Sequence, residues 1–321
     1  MMMLKILLTL SFVSVFAGGK APAELPANEL GQIMVLEYHH FGAEGRWSRS
    51  IPNFRKDLEA LYARGYYLTN LNDLLDHKIT VPAGKTPVVL TFDDSAGGQF
   101  GLVHTKDGDI LDPNTAAGAI KKFSDDHPDF GRAGTFYLNP NGKRDKAWSK
   151  VLNEMVAQGF ELGNHTVTHP QLRKLSYEKV ENEIAMCQAW IDQNVPGYQV
   201  RSMALPFGIY PMQNGHRMDS WASDGESQGV RYHHEALLEV GSGPAPSPFS
   251  PKFDAMHIPR IQVWGNADPG QPVFDYFLHY YDKHPEQRFV SDGNPETLTI
   301  KKGHRGDLHS KMTEDFQVIE N

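Results

Sequence analysis

Cysteine is almost absent from this sequence, since Cys187 is the only one among 321 residues. Its isolation excludes an intramolecular disulfide. Because Cys187 falls in a helical pattern with nothing nearby to activate a thiol, we expect it to be half-buried and structural. An excess of positive charge is also missing: 31 basic residues face 39 acidic ones, and the formal charge is −8. That balance argues against nucleic acid or an anionic membrane as a partner.

Apolar runs long enough to cross a bilayer are missing too. The longest run, from Ile6 to Ala17, follows Lys5 and falls well short of the ~20 residues that a transmembrane helix needs. A positive residue, a short apolar core and small residues around Ala17 or Ala23 are typical of a signal peptide. We therefore expect residues 1–23 to be a signal peptide, the mature protein to lack a transmembrane helix, and its location to be secreted or periplasmic. The alternative is a cytosolic protein with an apolar first strand.

Apolar runs alternate with amphipathic helical patterns along the rest of the chain. This alternation predicts a parallel sheet with crossover helices, and seven strand candidates favour a closed or nearly closed barrel. The predicted fold class is α/β, a distorted (β/α)7-type barrel that forms a single catalytic domain over residues 24–321, with a C-terminal extension from about residue 265. The strand candidates are Gln32–Tyr38, Pro87–Phe92, Ala133–Leu138, Gly159–Gly163, Arg201–Leu205, Val230–Tyr232 and Ile258–Val263.

Between these strands, the sequence contains helix start signals and stretches with the composition of loops. Pro52 begins one helix, and Asp145 and Ser176 can cap two others. The glycine-rich segment Gly97–Asn114 reads as a loop, and the proline-rich segment Gly241–Pro251 as an irregular surface excursion. In the tail we expect a helix over Val273–Tyr281 and an extended run near Glu296–Ile300.

Polar residues follow the predicted strands at the point where each strand ends. The carboxyl ends of parallel strands meet on one face of a β/α fold, and sites are built there. A random scatter of polar residues would not follow the strands so regularly. The residues concerned are Tyr38–His40, Asp93–Asp94, Asn139, Asn164–His165, Pro206–Gly208 and His233–His234.

Two short motifs fit one catalytic metal site: Thr91–Asp94, which ends in two carboxylates, and His165–His169, with imidazoles spaced i, i+4. One carboxylate and two imidazoles suit Zn²⁺ or a similar divalent ion and leave positions open for water and substrate. The second carboxylate is then free to act as a base. Alone, the histidines would read as surface residues and the aspartates as a helix cap or turn. Together they predict hydrolysis by a metal-activated water.

These motifs resemble those of the polysaccharide deacetylase family, the NodB-homology or carbohydrate esterase family 4 group. Thr91–Asp94 matches its Thr-Phe-Asp-Asp motif, and His165–His169 matches its His-Ser/Thr-x-x-His motif. Leu205–Gly208 matches its Arg-x-Pro-x-Gly loop in part. The resemblance covers roughly residues 32 to 263 and implies removal of N-acetyl (or O-acetyl) groups from a polysaccharide.

The resemblance also implies roles for the matched residues. Asp93 would be the general base, and Zn²⁺, or another divalent metal such as Co²⁺ or Ni²⁺, would be held by Asp94, His165 and His169. A backbone N–H near Phe207 would stabilise the oxyanion. Pro206, Phe207 and Gly208 would line the substrate, and an acid would protonate the departing amine.

The chain departs from the family pattern at several positions. Ala204 stands where the third motif usually has an arginine that orients the base, and we expect Arg260 to supply that function. A structural salt bridge is the other interpretation of Arg260. Ser95 replaces a glycine that is common after the aspartate pair, which makes the geometry of that turn an open point.

A late Leu-x-His motif for the acid is missing. However, Tyr38-His39 resembles the corresponding segment of circularly permuted, exopolysaccharide-deacetylase-like members, whose acid comes first in the chain. We therefore assign the acid to His39, with His40, His234 and His257 as lesser candidates and core packing as the alternative role for His39.

The sequence thus predicts an exported, metal-dependent deacetylase of N-acetylated polysaccharides, with no nucleic-acid partner. Trp264, just past the last strand, is the best candidate for lining a sugar groove. Peptidoglycan, chitin-like oligomers and poly-N-acetylglucosamine all suit the chemistry. Two alternatives stay open: a catalytically impaired polysaccharide-binding protein on the same fold, and a hydrolase of small amides.

Overall fold

The computed structural model describes residues 25–141 and 147–321. The predicted signal peptide and the predicted helix cap Asp145 lie outside the described residues. Eight strands form the main sheet: β1 Met34–Tyr38, β2 Tyr66–Leu68, β3 Thr86–Phe92, β4 Thr135–Leu138, β5 Glu161–Asn164, β6 Ser202–Ala204, β7 Ala236–Leu238 and β8 Ile261–Gln262.

The main sheet is parallel and curls on itself. Its strand order is β7-β6-β5-β4-β3-β1-β8, and β2 pairs with the start of β3. A parallel bridge joins Leu238 at the end of β7 to Ile258, which lies just before β8. The two outer strands are therefore connected, and the predicted parallel α/β barrel architecture is confirmed.

Eight α-helices surround the sheet in the described part of the chain. Pro52 lies in the first turn of α1, and Ser50 caps that helix by accepting a hydrogen bond from the Asn53 N–H. Ser176 occupies the N-cap position of α5 as predicted, although its side chain makes no capping hydrogen bond. The helices are α1 Ile51–Ala63, α2 Leu71–Leu75, α3 Ala116–Asp126, α4 Ala147–Ala157, α5 Tyr177–Asn194, α6 Ser220–Ser223, α7 Phe274–Lys283 and α8 Met312–Asp315. None of the helices within these described ranges combines the length and apolarity that a bilayer crossing needs.

Two sequence expectations about strands and loops were wrong. The run Val230–Tyr232 is extended, but it belongs to a hairpin of residues 224–227 and 230–233 outside the main sheet, and Ala236–Leu238 takes its place in the barrel. The expected loop Gly97–Asn114 contains a second hairpin, of residues 102–105 and 108–111.

The proline-rich segment Gly241–Pro251 is irregular, as expected, but it is not a surface excursion. Ala245 bridges to Ile33, and Ser247 and Phe249 are buried. In the tail, Thr297–Ile300 pairs in parallel with Gln317–Glu320. These segments pack together with the start of the described chain, where the Glu29 N–H donates to the Thr299 carbonyl.

Side-chain alternation along β1 and β3 divides the core into two sides. Val88 and Leu90 pack towards the helices, whereas Val89 belongs to a separate buried cluster on the other face of the strand. Successive side chains of a strand point to opposite faces, so Thr91 and Asp93 follow Val89 into the barrel interior. The same period places Glu37 on the inner face of β1, beside Val35.

Cys187 is fully buried rather than half-buried. Its thiol lies on α5 and donates to the Leu138 carbonyl at 3.2 Å. Burial raises the pKa of this thiol to about 12. It is therefore a structural residue, as the sequence predicted.

Candidate active site

The turn after β3 redirects the second carboxylate of the Asp-Asp pair. Asp93 keeps the inward direction of the strand, while Asp94 and Ser95 adopt positive φ values of 74° and 49°. Such values are unfavourable for residues with a Cβ and persist where the surroundings hold them. Here the Ser95 hydroxyl accepts a hydrogen bond from the Asn139 N–H at 2.9 Å. Ser95, which stands where the family commonly has a glycine, is therefore held in this turn by a hydrogen bond of its own side chain.

Asp94, His165 and His169 converge on one point. The Nε2 atoms of both histidines lie 3.3 Å from Asp94 Oδ1. His165 is fully buried, and its Nδ1–H donates to the Ala204 carbonyl at 2.7 Å, which leaves Nε2 as the lone-pair nitrogen. That buried Nε2 has no hydrogen-bond partner among the described residues. A divalent cation would satisfy it, so the three side chains fit the predicted metal site.

The charges around this point are also those of a cation site. Burial alone would raise the pKa of Asp94, but the imidazoles of His165, His39 and His169 outweigh it and lower that pKa. Burial alone would lower the pKa of His165, but the carboxylates of Asp93 and Asp94 outweigh it and raise that pKa. The imidazoles thus supply positive charge beside the two aspartates, as a bound metal ion would.

The His165–His169 segment is a tight turn that neighbouring side chains support. Thr166 and His169 both have positive φ, near 60°. The Glu183 carboxylate on α5 accepts hydrogen bonds from the Thr168 N–H and hydroxyl at 2.8 and 2.7 Å. The Asn139 amide donates to the carbonyls of His165 and Thr166. We had expected a strand leading into one turn here, but not Glu183, which lies 15 residues from Thr168.

Arg260 holds Asp93 in a two-point ion pair inside the barrel. Its Nη1 and Nη2 donate to the two Asp93 oxygens at 2.8 and 2.7 Å. The remaining donors bind Thr91 Oγ1, Glu37 Oε1 and the Glu239 carbonyl. All five N–H groups of the guanidinium are thus engaged. Burial would raise the pKa of Asp93, but Arg260 outweighs it and keeps the carboxylate ionised.

His39 comes directly after β1, and its side chain approaches Glu37 and Asp93. Its Nε2 lies 3.6 Å from Glu37 Oε1, and its ring packs edge-to-face with Trp47 at 5.0 Å between centroids. Burial lowers the pKa of His39 to about 4, against the opposing effect of Asp93 and Asp94. Sequence reasoning did not single out Glu37, although a carboxylate inside an otherwise apolar strand was a visible signal.

The lesser histidine candidates lie in different surroundings. His40 is exposed and lines an open cleft of about 370 Å³ together with Asp94 and His169. His234 is buried before β7, at the amino end of the strand, and its Nδ1 is bonded to the Ala222 carbonyl. His257 lies between the carboxylates of Asp219 and Asp254. Of these three, only His40 shares a cleft with the aspartate–histidine cluster.

The Pro206–Gly208 loop forms one wall beside the histidines. Pro206 is buried, whereas the Phe207 side chain is 53% exposed and its ring meets His169 at 4.4 Å between centroids. Phe207 and Gly208 have φ values of 59° and 64°, and Gly208 lies against Val240, where a Cβ would meet the Val240 nitrogen at 2.9 Å. The loop thus presents an aromatic ring next to the site.

Trp264 belongs to an aromatic ledge next to His39. Its ring lies 5.6 Å from that of Trp47, and the Arg46 guanidinium lies over both rings, at 4.9 and 5.3 Å from their centroids. Backbone hydrogen bonds from the Gly265 N–H to the carbonyls of Gly45 and Ser48 hold the two loops together. Trp264 thus lies in the same aromatic cluster as Trp47, which contacts His39.

Known proteins with similar sequences share part of this chain. Residues 80–218 match the family described as polysaccharide deacetylase. A chitooligosaccharide deacetylase of Sinorhizobium fredii is 33% identical over 76 residues, which are 24% of this chain and 34% of the relative. A chitooligosaccharide deacetylase of Bradyrhizobium sp. is 34% identical over 61 residues, 19% of this chain and 28% of the relative. The matches span about a third of the length of these curated relatives.

Solved structures with similar folds cover more of the chain. The Streptococcus pyogenes deacetylase PplD, in complex with acetate, matches 77% of this chain and 97% of its own, with a TM-score of 0.53 and 19% identity. IcaB from Ammonifex degensii matches 78% of this chain and 97% of its own, with a TM-score of 0.52 and 18% identity. At these identities the likeness establishes the fold. The family match over residues 80–218 contains both predicted metal-binding motifs, and over these residues the chain is similar to the polysaccharide deacetylases.

Proposed function

We propose that this protein hydrolyses N-acetyl groups on a polysaccharide, with Asp93 as the general base. The observation that carries the proposal is that an arginine–carboxylate ion pair lies within a few ångströms of a candidate metal-binding cluster. Arg260 holds Asp93 ionised, and Asp93 Oδ2 lies 3.9 Å from the Nε2 of His165 in the Asp94–His165–His169 cluster. A base and a cation site side by side are what water-dependent acyl hydrolysis needs.

Asp94, His165 and His169 would hold Zn²⁺, Co²⁺ or Ni²⁺, and such an ion, when bound, lowers the pKa of a water molecule and polarises a carbonyl. The protein's own part is proton transfer. Arg260 occupies one lone pair on each Asp93 oxygen, and a second lone pair remains to accept a proton from the attacking water. The ionised state that Arg260 enforces makes Asp93 ready to do so at neutral pH.

His39 would donate the proton that the departing amine needs. Burial lowers its pKa to about 4, so its imidazole would take up that proton from solvent only when negative charge develops next to it, and Asp93 would return the proton of the attacking water to solvent after the reaction. Such charge forms on the acetyl oxygen during the reaction. The nitrogen leaves as an amine, and acetate is the second product.

The open shape of the site favours a polymer over a small amide. The cleft beside Asp94 opens to solvent, the exposed Phe207 ring contacts His169 in its wall, and Trp47 of the aromatic ledge contacts His39. Aromatic faces and an open groove suit a chain of sugars, whereas a small amide would call for a closed pocket. The chitooligosaccharide deacetylases among the relatives make N-acetylglucosamine oligomers the first substrate to test.

Two features of the sequence favoured a catalytically impaired binding protein: the missing arginine at position 204 and the missing late histidine. The surroundings of Asp93 weaken both reasons. Arg260 and His39 occupy the corresponding surroundings of Asp93. The assignment to the circularly permuted branch and the export of the protein stay predictions.

The test is acetate release from N-acetylglucosamine oligomers by the purified protein with Zn²⁺ or Co²⁺. We expect release that a chelator abolishes and that Asp93→Asn lowers by about 10²–10⁴-fold, the usual contribution of a general base. Asp129→Asn, at an exposed position, is the matched control and should keep full activity. Absence of release from these oligomers and from O-acetylated polymers, with metal bound, would contradict the proposal.

A further inference from the structure

Gln99 is a fully buried amide that the proposed chemistry has not yet used. It lies in the loop between the Asp-Asp turn and α3. Its Nε2 donates one hydrogen bond to the His39 carbonyl, at 2.7 Å, and another to the Asp93 carbonyl. A side-chain amide has two N–H groups, so both are engaged. One side chain is therefore bound to the backbones of the proposed proton donor and the proposed base.

The two strands that lead to these residues diverge at this point. β1 and β3 pair in parallel as far as Tyr38, whose carbonyl accepts the Asp93 N–H at 2.9 Å. Further along the chain, the His40 N–H donates instead to the Trp47 carbonyl. Carbonyl groups inside a protein need donors, and here the Gln99 amide supplies them. It joins the two segments where the pairing of the strands has ended.

The position of Gln99 is itself fixed by α3 and by the segment after β1. Its carbonyl accepts the Ala117 N–H, and the Gly98 carbonyl accepts the Ala116 N–H, both at 2.9 Å. Gly98 has a φ of 81°, and a Cβ at this position would lie 2.8 Å from the Cβ of Phe41. The loop therefore lies directly against the chain that follows β1, and the first turn of α3 anchors it there.

Filling space does not explain an amide at this position, because an apolar side chain of the same size would occupy the same volume. The Gln99 Oε1 is buried and has no hydrogen-bond partner among the described residues. An acceptor left unpaired in this way costs about 1–3 kcal/mol. The flipped amide would place that oxygen against two carbonyl oxygens, so the neighbours fix the orientation. The chain thus keeps two donors aimed at His39 and Asp93 although the third polar atom stays unpaired.

We propose that Gln99 is a positioning residue that sets the distance between the proposed base and the proposed proton donor. In the proposed reaction, the base takes a proton from the attacking water and the donor gives one to the departing nitrogen. Both of those atoms are bonded to the same carbonyl carbon, so Asp93 and His39 must lie a fixed distance apart. A misplacement of about 1 Å can cost about 100-fold in rate. The inference rests on the proposed function.

The kinetic test uses Gln99→Met, which keeps the length of the side chain but removes both donors. We expect kcat of the folded protein to fall about 10–100-fold, with KM and Zn²⁺ affinity unchanged. Gln188→Met is the matched control, because Gln188 is a buried glutamine on α5 that bonds Asp192, and this variant should keep the wild-type kcat. A wild-type kcat in Gln99→Met would overturn the proposal.

Combination with His39→Gln separates positioning from general damage to the fold. Once the donor is absent there is no pair to space, so the effect of Gln99→Met on kcat should largely disappear in the His39→Gln background. A purely structural role would give the same fold loss in both backgrounds, and that result would overturn the proposal. If Gln99→Met does not fold, Gln99→Asn decides. Its amide is one methylene too short to reach both carbonyls, and a wild-type kcat in that variant would equally overturn the proposal.

Crystal structures of the wild type and of Gln99→Met give a readout that needs no activity. We expect the Cα atoms of His39 and Asp93 to move apart by about 0.5 Å or more, the tolerance of a catalytic site, while β1 and β3 keep their register. An unchanged separation would overturn the proposal. If the wild type releases no acetate, the proposed function fails, and this distance alone decides whether Gln99 sets the spacing.

Discussion

Arg260 organises the charges of the site from a completely buried position. Every N–H group of its guanidinium has an acceptor, and two carboxylates, Asp93 and Glu37, depend on it for a positive partner. Removing one partner of a buried ion pair is costly because the remaining charge is left without compensation. Stability and the ionisation of the base therefore depend on the same side chain.

We expect Arg260→Met to lower the free energy of unfolding by about 3–5 kcal/mol at pH 7, because both carboxylates lose their cation. The loss should shrink as the pH falls towards 4, where the stranded carboxyl groups become protonated. Urea unfolding at both pH values measures it. Arg201→Met is the control, since Arg201 pairs with Asp76 and Glu235 at the surface and should cost about 1 kcal/mol or less. Equal losses in the two variants would contradict this interpretation of Arg260.

Single residues of the site were predictable to the extent that their motifs are local. The Asp-Asp and His-x-x-x-His patterns led to Asp93, Asp94, His165 and His169, and the absence of an arginine at position 204 led to Arg260. Glu37 belongs to no such motif, and its only sequence signal was a carboxylate inside an otherwise apolar strand; its partner Arg260 is 223 residues away. Ala204 contributes through its carbonyl, which fixes the His165 ring, and a carbonyl leaves no mark in a sequence.

At the scale of elements, the metal-site turn depends on helix α5. Glu183 extends from that helix and accepts hydrogen bonds from the Val167 and Thr168 N–H groups and from the Thr168 hydroxyl. Outer partners of this kind orient the ligands themselves, and losing one typically costs about 10–100-fold in metal affinity. The position of His169 is therefore set by a helix that contributes no ligand.

Glu183→Gln should weaken Zn²⁺ binding by about 10–100-fold, because an amide has one oxygen and cannot accept all three hydrogen bonds. Competition with a chromophoric chelator measures the affinity without reference to activity. Glu181→Gln on the same helix is the control: its carboxylate contacts the Glu226 N–H, away from the turn, and it should bind Zn²⁺ like the wild type. Unchanged affinity in Glu183→Gln would show that the turn holds its shape without α5.

Elements with strong periodic patterns were the predictable ones. The spacing of Val180, Ile184 and Ile191 indicates one apolar face of α5, and all three residues are buried. The barrel strand Ala236–Leu238 was missed because alanine and leucine are neither β-branched nor aromatic and give no strand signal, whereas the nearby run at Val230–Tyr232 has a β-branched and an aromatic residue. Burial of Ala245 and Phe249 depends on contacts with distant segments, and composition alone indicated a surface loop there.

At the scale of the whole molecule, a buried carboxylate joins the first described segment to the tail. Glu29 Oε2 accepts the Thr299 N–H at 2.8 Å, and the Glu29 carbonyl accepts the Ser247 hydroxyl. Burial raises the pKa of Glu29 from 4.5 to about 8, with Thr299 opposing the shift and Asp292 adding to it. The folded state therefore holds a proton on Glu29 that the unfolded chain releases at lower pH.

This proton makes stability depend on pH in a defined direction. A carboxyl group whose pKa is raised on folding stabilises fully below its unfolded pKa, and that stabilisation is lost as the pH rises through the folded value. We expect the wild type to lose on the order of 2–4 kcal/mol relative to Glu29→Gln between about pH 4.5 and pH 8, the two ends of the Glu29 shift. Urea unfolding across this range measures the difference. Glu296→Gln, at an exposed position nearby, should follow the wild type, and parallel curves for wild type and Glu29→Gln would contradict the prediction.

The segment before β8 places Arg260 beside Asp93, and this segment is bridged to β7. Hydrogen bonds from the Ile258 N–H to the Leu237 carbonyl and from the Ser242 N–H to the Arg260 carbonyl hold it there. During synthesis, Asp93 is made 167 residues before the arginine that ionises it. A nascent chain can therefore contain both predicted metal-binding motifs while the proposed base, Asp93, still lacks its arginine partner. Under the proposed function, the enzyme would become competent only when the segment that carries Arg260 has joined the barrel, late in the synthesis of the chain.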